Sequence, residues 1–255
     1  MKVWEETPDG RKGWAPLLAE KGREVITIEW ACNSPEIYRC SGKELCSLTQ
    51  KENMDLIKKV IEKALSKDRK IVFLGWSMGG PQVFKLAADI IPRRVVAVMG
   101  YGATGPLNYF QPSSSDSSPK LNYNRRMTIA KEWVEKQSRM VGFPRKHLNQ
   151  YLRKYLIPFS PLMAAIQSKR PEVKNYWSLL TIKNPHNLPP TLLVNGTFDS
   201  GHSPDKEKKL KDWLKKYQGD TTAVYVKDFS HLGMMCRGNE KIVKLYLGWL
   251  KKRNL

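Results

Sequence analysis

The sequence has no long hydrophobic run and few cysteines. No apolar stretch approaches the roughly 18 residues that a membrane-spanning helix requires, so we expect no membrane span. The 4 cysteines in 255 residues are too few for a small disulfide-stabilised scaffold. Three of them, Cys32, Cys40 and Cys46, lie close together in the chain, and their oxidation state is left open. Because no C-x-x-C pair occurs, a zinc or thioredoxin-like site is disfavoured, and we expect neither a metal nor a cofactor.

Acidic residues are scarce as well. The chain has 24 Asp+Glu against 44 Lys+Arg, which gives a formal charge of 44 − 24 = +20. Clustered Lys and Arg would indicate a nucleic-acid partner. Here they are spread along the chain and interleaved with Glu, as at Lys58, Lys59 and Glu62, which is typical of a solvated helix face. We therefore expect no nucleic-acid partner, and the oligomeric state stays open.

The beginning of the sequence has no secretory signal. Lys2 is followed by no apolar segment within the first ten residues, so we expect a cytoplasmic protein. A true start upstream of Met1 would leave room for such a signal and for secretion.

Alternating strand and helix patterns before residue 107 and after residue 187 predict an α/β fold with a mostly parallel sheet flanked by helices. The predicted strands are 24–30, 70–76, 94–101, 191–196 and 223–226, and the predicted helices are 50–66, 78–91, 205–217 and 240–252. These elements form a predicted core of residues 1–107 and 187–255.

The segment between the two halves of the core has a different pattern. Residues 108–186 open with a Ser-rich loop and continue as helical segments around 126–141, 145–156 and 160–168. They carry 14 Lys+Arg and 4 Asp+Glu, so 14 − 4 = +10 of the excess charge lies in this segment. We interpret it as a helical lid inserted over one edge of the sheet.

The chemistry-bearing motif is Gly75-Trp76-Ser77-Met78-Gly79, a G-x-S-x-G match followed by Gly80. Ser77 falls between a predicted strand and a predicted helix, which is the context that this nucleophile motif requires. Small residues flank such a turn because it is tight and strained. The position predicts that Ser77 is a nucleophile and that the N–H of Met78, the next residue, is an oxyanion donor.

A serine nucleophile needs a base, and the base needs a carboxylate. Of the 4 histidines, only His231 follows the last predicted strand, so its loop opens on the same sheet edge as Ser77. Asp199 follows the strand 191–196 and is the preferred carboxylate. The other candidates are His147, His186 and His202 for the base and Asp205 and Asp228 for the acid.

The order Ser77, Asp199, His231 resembles the α/β-hydrolase superfamily, and Gly75–Gly80 resembles the elbow of its serine esterases and lipases. The segment from Trp4 to Trp14 also resembles one in an esterase-like branch. The resemblance implies hydrolysis of a small-molecule ester through an acyl-enzyme, in which Ser77 attacks, His231 shuttles the proton and Asp199 orients the ring.

The front of the chain departs from that superfamily. The predicted strand 24–30 corresponds to its fourth strand, no His-Gly pair for an oxyanion loop is present, and only Met1 to Val3 precede the Trp4 segment. We expect that the sequence starts late and lacks its first strands; the alternative is direct pairing of the fourth strand with the fifth. Without a second oxyanion donor, turnover would fall by about 10² to 10³. A non-catalytic binding protein on a hydrolase fold is therefore the second hypothesis.

Overall fold

The computed structural model describes residues 4–28, 50–66, 68–77, 79–103, 135, 144–147, 182–199, 204–217 and 219–255. Within them, four parallel strands form one sheet in the order β1-β2-β3-β4. The strands are β1 (Ile71–Trp76), β2 (Val95–Tyr101), β3 (Thr191–Gly196) and β4 (Thr221–Val226). Because all four run in the same direction, the residues that follow them gather at one edge, the carboxyl edge of the sheet.

Five α-helices lie in the described residues: α1 (Trp14–Ala19), α2 (Gln50–Ala64), α3 (Gly79–Lys85), α4 (Pro204–Tyr217) and α5 (Glu240–Lys251). A π-helical turn, Leu86–Ile90, continues α3 toward β2. Short 3-10 turns are found at Arg145–His147, Pro185–Asn187 and Gly233–Met235. None of these helices is both long and apolar enough to cross a lipid bilayer.

Successive strand residues point to opposite faces, which gives the sheet an apolar cluster on each side. In β3, Leu192 belongs to the cluster that includes Trp14 of α1 and Tyr246 of α5. The next residue, Leu193, belongs to the cluster that includes Met54 of α2 and Leu210 of α4. The central strands β2 and β3 are therefore buried between two helical layers.

The predicted fold class is confirmed, and β3 has the predicted bounds. The helix predicted for 78–91 is the α3 helix followed by the π-helical turn. The short α1 helix was not predicted, since 6 residues that include Pro16 are too few to show a helical period.

The prediction of a strand at 24–30 is wrong for residues 24–28, the part that the structure describes. These residues pair with no strand, and most of their side chains are exposed; Ile26 is 41% accessible. A β-branched composition favours a strand only where a neighbouring strand accepts its hydrogen bonds. In the described part of the chain only β2 pairs with β1. The late start of the sequence stays a prediction.

Most of the predicted lid, 108–186, lies outside the described residues. The place where the chain returns to the core is described. There the Asp89 carboxylate accepts hydrogen bonds from the backbone N–H groups of Lys183, at 3.0 Å, and Asn184, at 2.9 Å. This contact fixes the start of the segment that leads into β3, while the division into core and lid stays a prediction.

Candidate active site

Ser77 lies at the carboxyl end of β1 in a strained conformation. Its φ is 53°, in the left-handed region that residues with a Cβ rarely adopt. Two backbone bonds hold it there: its N–H donates to the carbonyl of Tyr101 at 2.9 Å, and its own carbonyl accepts from the N–H of Gly80 at 3.0 Å. The turn between β1 and α3 therefore has the sharp strand-to-helix geometry expected of a nucleophile elbow.

Two of the three glycines around Ser77, Gly75 and Gly80, are required by space, whereas a Cβ on Gly79 would meet nothing within 4 Å. A Cβ added to Gly75 would lie 2.6 Å from the carbonyl oxygen of Gly79, and one added to Gly80 would collide with the side chain of Ala103. Gly75 and Gly80 thus allow β1, α3 and the residues just after β2 to approach one another closely. The residue after Ser77, Met78, lies outside the described residues.

The structure brings His231 and Asp199 together. Nδ1 of His231 lies 2.8 Å from Oδ2 of Asp199, and the two residues are only 4% and 6% exposed. Asp199 follows β3, where its N–H donates to the carbonyl of Gly196 at 3.1 Å. A carboxylate on Nδ1 favours the tautomer with its proton there, which makes Nε2 the basic nitrogen of the ring.

Gly102 packs against the His231–Asp199 pair. It follows β2 with a φ of +59°, and its N–H donates to the carbonyl of Val194 at 2.9 Å. A Cβ on Gly102 would lie 2.8 Å from Nδ1 of His231 and 3.1 Å from Oδ2 of Asp199. The hydrogen-bonded pair therefore packs directly against a backbone that has no side chain.

The segment 229–231 crosses the carboxyl edge of the sheet from β3 to β1. Its first carbonyl accepts from the N–H of Phe198, just after β3, at 2.9 Å. The second accepts from the hydroxyl of Tyr101, the last residue of β2, at 2.7 Å. The third accepts from the indole Nε1 of Trp76, the last residue of β1, at 2.8 Å. These three hydrogen bonds attach the segment that follows β4 to the ends of β3, β2 and β1 in turn, and the last of them lies next to Ser77.

The Tyr101 hydroxyl keeps its proton for this bond. Burial, reinforced by nearby Cys236, Tyr246 and Asp199, raises the pKa of Tyr101 well above its ordinary value. The hydroxyl therefore stays protonated and continues to donate a hydrogen bond to the carbonyl of Ser230.

The alternative histidines and carboxylates that the structure describes lie on other helices and turns. His186 is exposed on a 3-10 turn. Its ring packs edge-on against the ring of Tyr217, with the two ring centroids 5.2 Å apart. His147 belongs to the 3-10 turn Arg145–His147, and His202 lies outside the described residues. Asp205 is exposed in the first turn of α4, whereas Asp228, with a φ of 64°, occupies the turn after β4.

Sequence reasoning selected Ser77, Asp199 and His231 but missed the residues that surround them, Trp76, Tyr101 and Gly102. Only Gly102 left a signal, as a glycine directly after a buried strand. In the described part of the chain, no three His, Cys, Asp or Glu side chains gather as a metal site would require.

The sequence profile of the alpha/beta hydrolase fold family matches residues 3–231. An esterase from Rhodococcus sp. ECU1013 is similar over 97% of this chain and 87% of its own, with 16% identity and a TM-score of 0.61. An N-acyl homoserine lactone degrading enzyme is similar over 77% of this chain and 73% of its own, with 18% identity and a TM-score of 0.58. A thermophilic esterase from Thermogutta terrifontis is similar over 80% of this chain and 73% of its own, with 19% identity and a TM-score of 0.50. No curated protein matches the chain in sequence. At these identities the solved structures indicate a shared fold.

Proposed function

The chain belongs to the α/β hydrolase fold family, and from that membership we propose that it is a serine hydrolase that cleaves carboxylic esters through an acyl-enzyme. Ser77 is the proposed nucleophile, His231 the general base and acid, and Asp199 the residue that orients the ring. The substrate class is a small-molecule ester, a carboxylesterase or lipase-like activity. The proposed chemistry requires no cofactor.

The buried hydrogen bond between His231 and Asp199 is the observation that carries the proposal. Burying an imidazole beside a carboxylate is costly unless the two groups are paired, and here they pair at 2.8 Å. The pair lies at the sheet edge where Ser77 is held at a φ of 53°. A purely structural turn would need neither the strained serine nor the buried pair, and the combination is what acyl transfer uses.

The proposed reaction has two halves. Ser77 Oγ attacks the ester carbonyl carbon while its proton passes to Nε2 of His231, and the imidazolium is stabilised by Asp199. The oxyanion accepts a hydrogen bond from the N–H of Met78. The C–O bond to the alcohol then breaks as His231 returns the proton to the leaving oxygen. Water then attacks the acyl-enzyme carbonyl as His231 takes its proton. The bond from the acyl carbon to Ser77 Oγ breaks, His231 returns the proton to Oγ, and the carboxylic acid is released.

Two parts of the proposal come from the sequence. The segment 108–186 is the proposed lid over the substrate. The sequence offers no His-Gly pair for a second oxyanion donor, so we expect turnover about 10² to 10³ below that of an enzyme with two donors. Esterases and a lactone-degrading enzyme among the structural neighbours are consistent with an ester as substrate.

Covalent labelling tests the function. A fluorophosphonate probe phosphonylates a serine only where a base activates it, so we expect labelling of the parent protein at Ser77 and its loss in Ser77→Ala and His231→Ala. Two matched controls exchange residues of the same type that are exposed and distant: Ser66→Ala and His186→Ala should be labelled like the parent. A folded parent that takes up no label would favour the alternative, a non-catalytic binding protein. Label attached to another serine would also overturn the assignment.

A further inference from the structure

We propose that Trp76 is a positioning residue for His231. The indole of Trp76 ties the main chain of the proposed base to the turn that carries the proposed nucleophile. This inference rests on the proposed function, since it assigns a role within the same site. Trp76 does not touch the reacting atoms in this role; it acts through the backbone of His231.

The contact joins the two halves of the site. Trp76 immediately precedes Ser77, and its Nε1–H donates to the carbonyl oxygen of His231 at 2.8 Å. The ring centroids of Trp76 and His231 are 5.7 Å apart, with the planes inclined at 41°. A single side chain therefore contacts the imidazole and also fixes the backbone from which that imidazole extends.

The neighbouring strand supports the same segment. Trp76 and Tyr101 are paired Cα partners at the ends of β1 and β2, so their side chains project from the same face of the sheet. Their donors meet successive carbonyls, since the Tyr101 hydroxyl bonds to Ser230 at 2.7 Å and the indole bonds to His231 at 2.8 Å. The paired strand ends thus present two donors at the spacing of consecutive peptide groups.

The hydrogen bond from Trp76 restrains the main-chain position of His231, which the bond to Asp199 does not. The carboxylate of Asp199 fixes the rotation of the imidazole about its own side-chain bonds. It does not fix where the Cα of His231 lies. That segment lies between the end of β4 and the 3-10 turn Gly233–Met235, in a stretch without helix or strand. Because a displacement of about 1 Å in a catalytic group can lower the rate by 10²-fold, the backbone anchor matters for turnover.

The chain offers a matched tryptophan for the test. Trp249 of α5 also donates its Nε1–H inside the protein, but the acceptor is Oγ1 of Thr222 in β4, at 3.1 Å. Trp76→Phe and Trp249→Phe each remove an indole donor and keep an aromatic ring. Both variants should lower the melting temperature, and only Trp76→Phe should disturb catalysis.

The experiment combines kinetics with a spectroscopic signal from His231. For hydrolysis of p-nitrophenyl acetate, Trp76→Phe should lower kcat by about 10- to 100-fold with KM changed by less than about 2-fold. The rate of fluorophosphonate labelling should fall by a similar factor. In proton NMR, the downfield resonance of the hydrogen-bonded His231 Nδ1–H, assigned by its loss in Asp199→Asn, should shift or broaden in Trp76→Phe. Trp249→Phe should match the parent in all three measurements.

A Trp76→Phe protein with parental kcat, labelling rate and His231 resonance would overturn the proposal. If this variant fails to fold, site-specific replacement of Trp76 by 3-benzothienylalanine removes the N–H but keeps the ring shape, and the same losses are expected. A parent without turnover or labelling would defeat the proposed function. The NMR comparison would still decide whether Trp76 holds His231 in place.

Discussion

Gly102 lies so close to His231 that a single methyl group cannot fit between them: a Cβ on Gly102 would come within 2.8 Å of the imidazole Nδ1. The same atom would lie 3.1 Å from Oδ2 of Asp199. The hydrogen bond between His231 and Asp199 therefore packs against bare backbone. Any residue with a side chain at position 102 must displace one member of the proposed triad.

Gly102→Ala should reduce ester hydrolysis severely. The added methyl group forces the His231 ring or the Asp199 carboxylate to move, and a displaced base costs about 10²-fold in rate. The variant also loses stability, because alanine at a φ of +59° costs about 1 to 2 kcal/mol. The measurements are kcat for p-nitrophenyl acetate and the free energy of unfolding in urea.

Gly22→Ala is the control for Gly102→Ala. Gly22 has a φ of +77°, and a Cβ added there would meet nothing within 4 Å. This variant should lose a similar amount of stability and keep its kcat. Equal kcat values for the two alanine variants would show that contact with the His231–Asp199 pair does not limit activity.

Ser77 offers a test of strain at the elbow. A residue with a Cβ at a φ of 53° is held at a cost of about 1 to 2 kcal/mol, while glycine adopts this conformation without strain. Ser77→Gly and Ser77→Ala should both abolish labelling by the fluorophosphonate. Ser77→Gly should be the more stable of the two by about 1 kcal/mol, measured by urea unfolding. An alanine variant at least as stable as the glycine variant would contradict a strained turn.

The sequence signals that succeeded were local ones. The short, mostly apolar runs that became β1 and β3 are bounded by turn residues, and the elbow motif falls between β1 and α3. Local patterns also placed Asp199 and His231 after strands. Since parallel strands share a carboxyl edge, that order was enough to predict that Asp199 and His231 lie close together.

The contacts that hold those side chains in place involve residues far apart in the chain. Trp76 and His231 are separated by 155 positions, and Tyr101 and Ser230 by 129, so no short-range pattern reports either bond. The strand predicted at 24–30 failed for a related reason. Composition indicates a preference for extended backbone, whereas a strand exists only where a partner strand is available, and the described residues 24–28 have none.

The thiol of Cys236 should be unreactive in the folded protein. The residue is 1% exposed, and burial raises the pKa of its thiol to about 11. At pH 8 only about one thiol in a thousand would be ionised, and the thiolate is the reactive form. Iodoacetamide should therefore alkylate the peptide containing Cys236 only after unfolding in urea, as measured by mass spectrometry. Rapid alkylation of the native protein would show that the loop behind His231 opens.

Acid should destabilise the protein partly through Asp9. Burial acts to raise the pKa of this carboxyl, but hydrogen bonds from Arg11 and Thr7, together with the Arg11 charge, leave the pKa below its ordinary value of 3.8. The Arg11 guanidinium also donates to the carbonyls of Met235 and Cys236, each at 3.1 Å. Ionised Asp9 therefore helps to anchor the loop that follows His231.

The sign of the pH effect follows from the lowered pKa. A carboxyl whose pKa is lower in the folded state contributes stability that is present above about pH 4 and is lost as the pH falls through the folded value. Asp9→Asn removes this contribution. Its melting temperature should fall less between pH 6 and pH 3 than that of the parent, while Asp212→Asn, at an exposed position in the middle of α4, should behave like the parent. An equal fall in Asp9→Asn and the parent would mean that the Asp9–Arg11 pair contributes nothing to the stability of the loop behind His231.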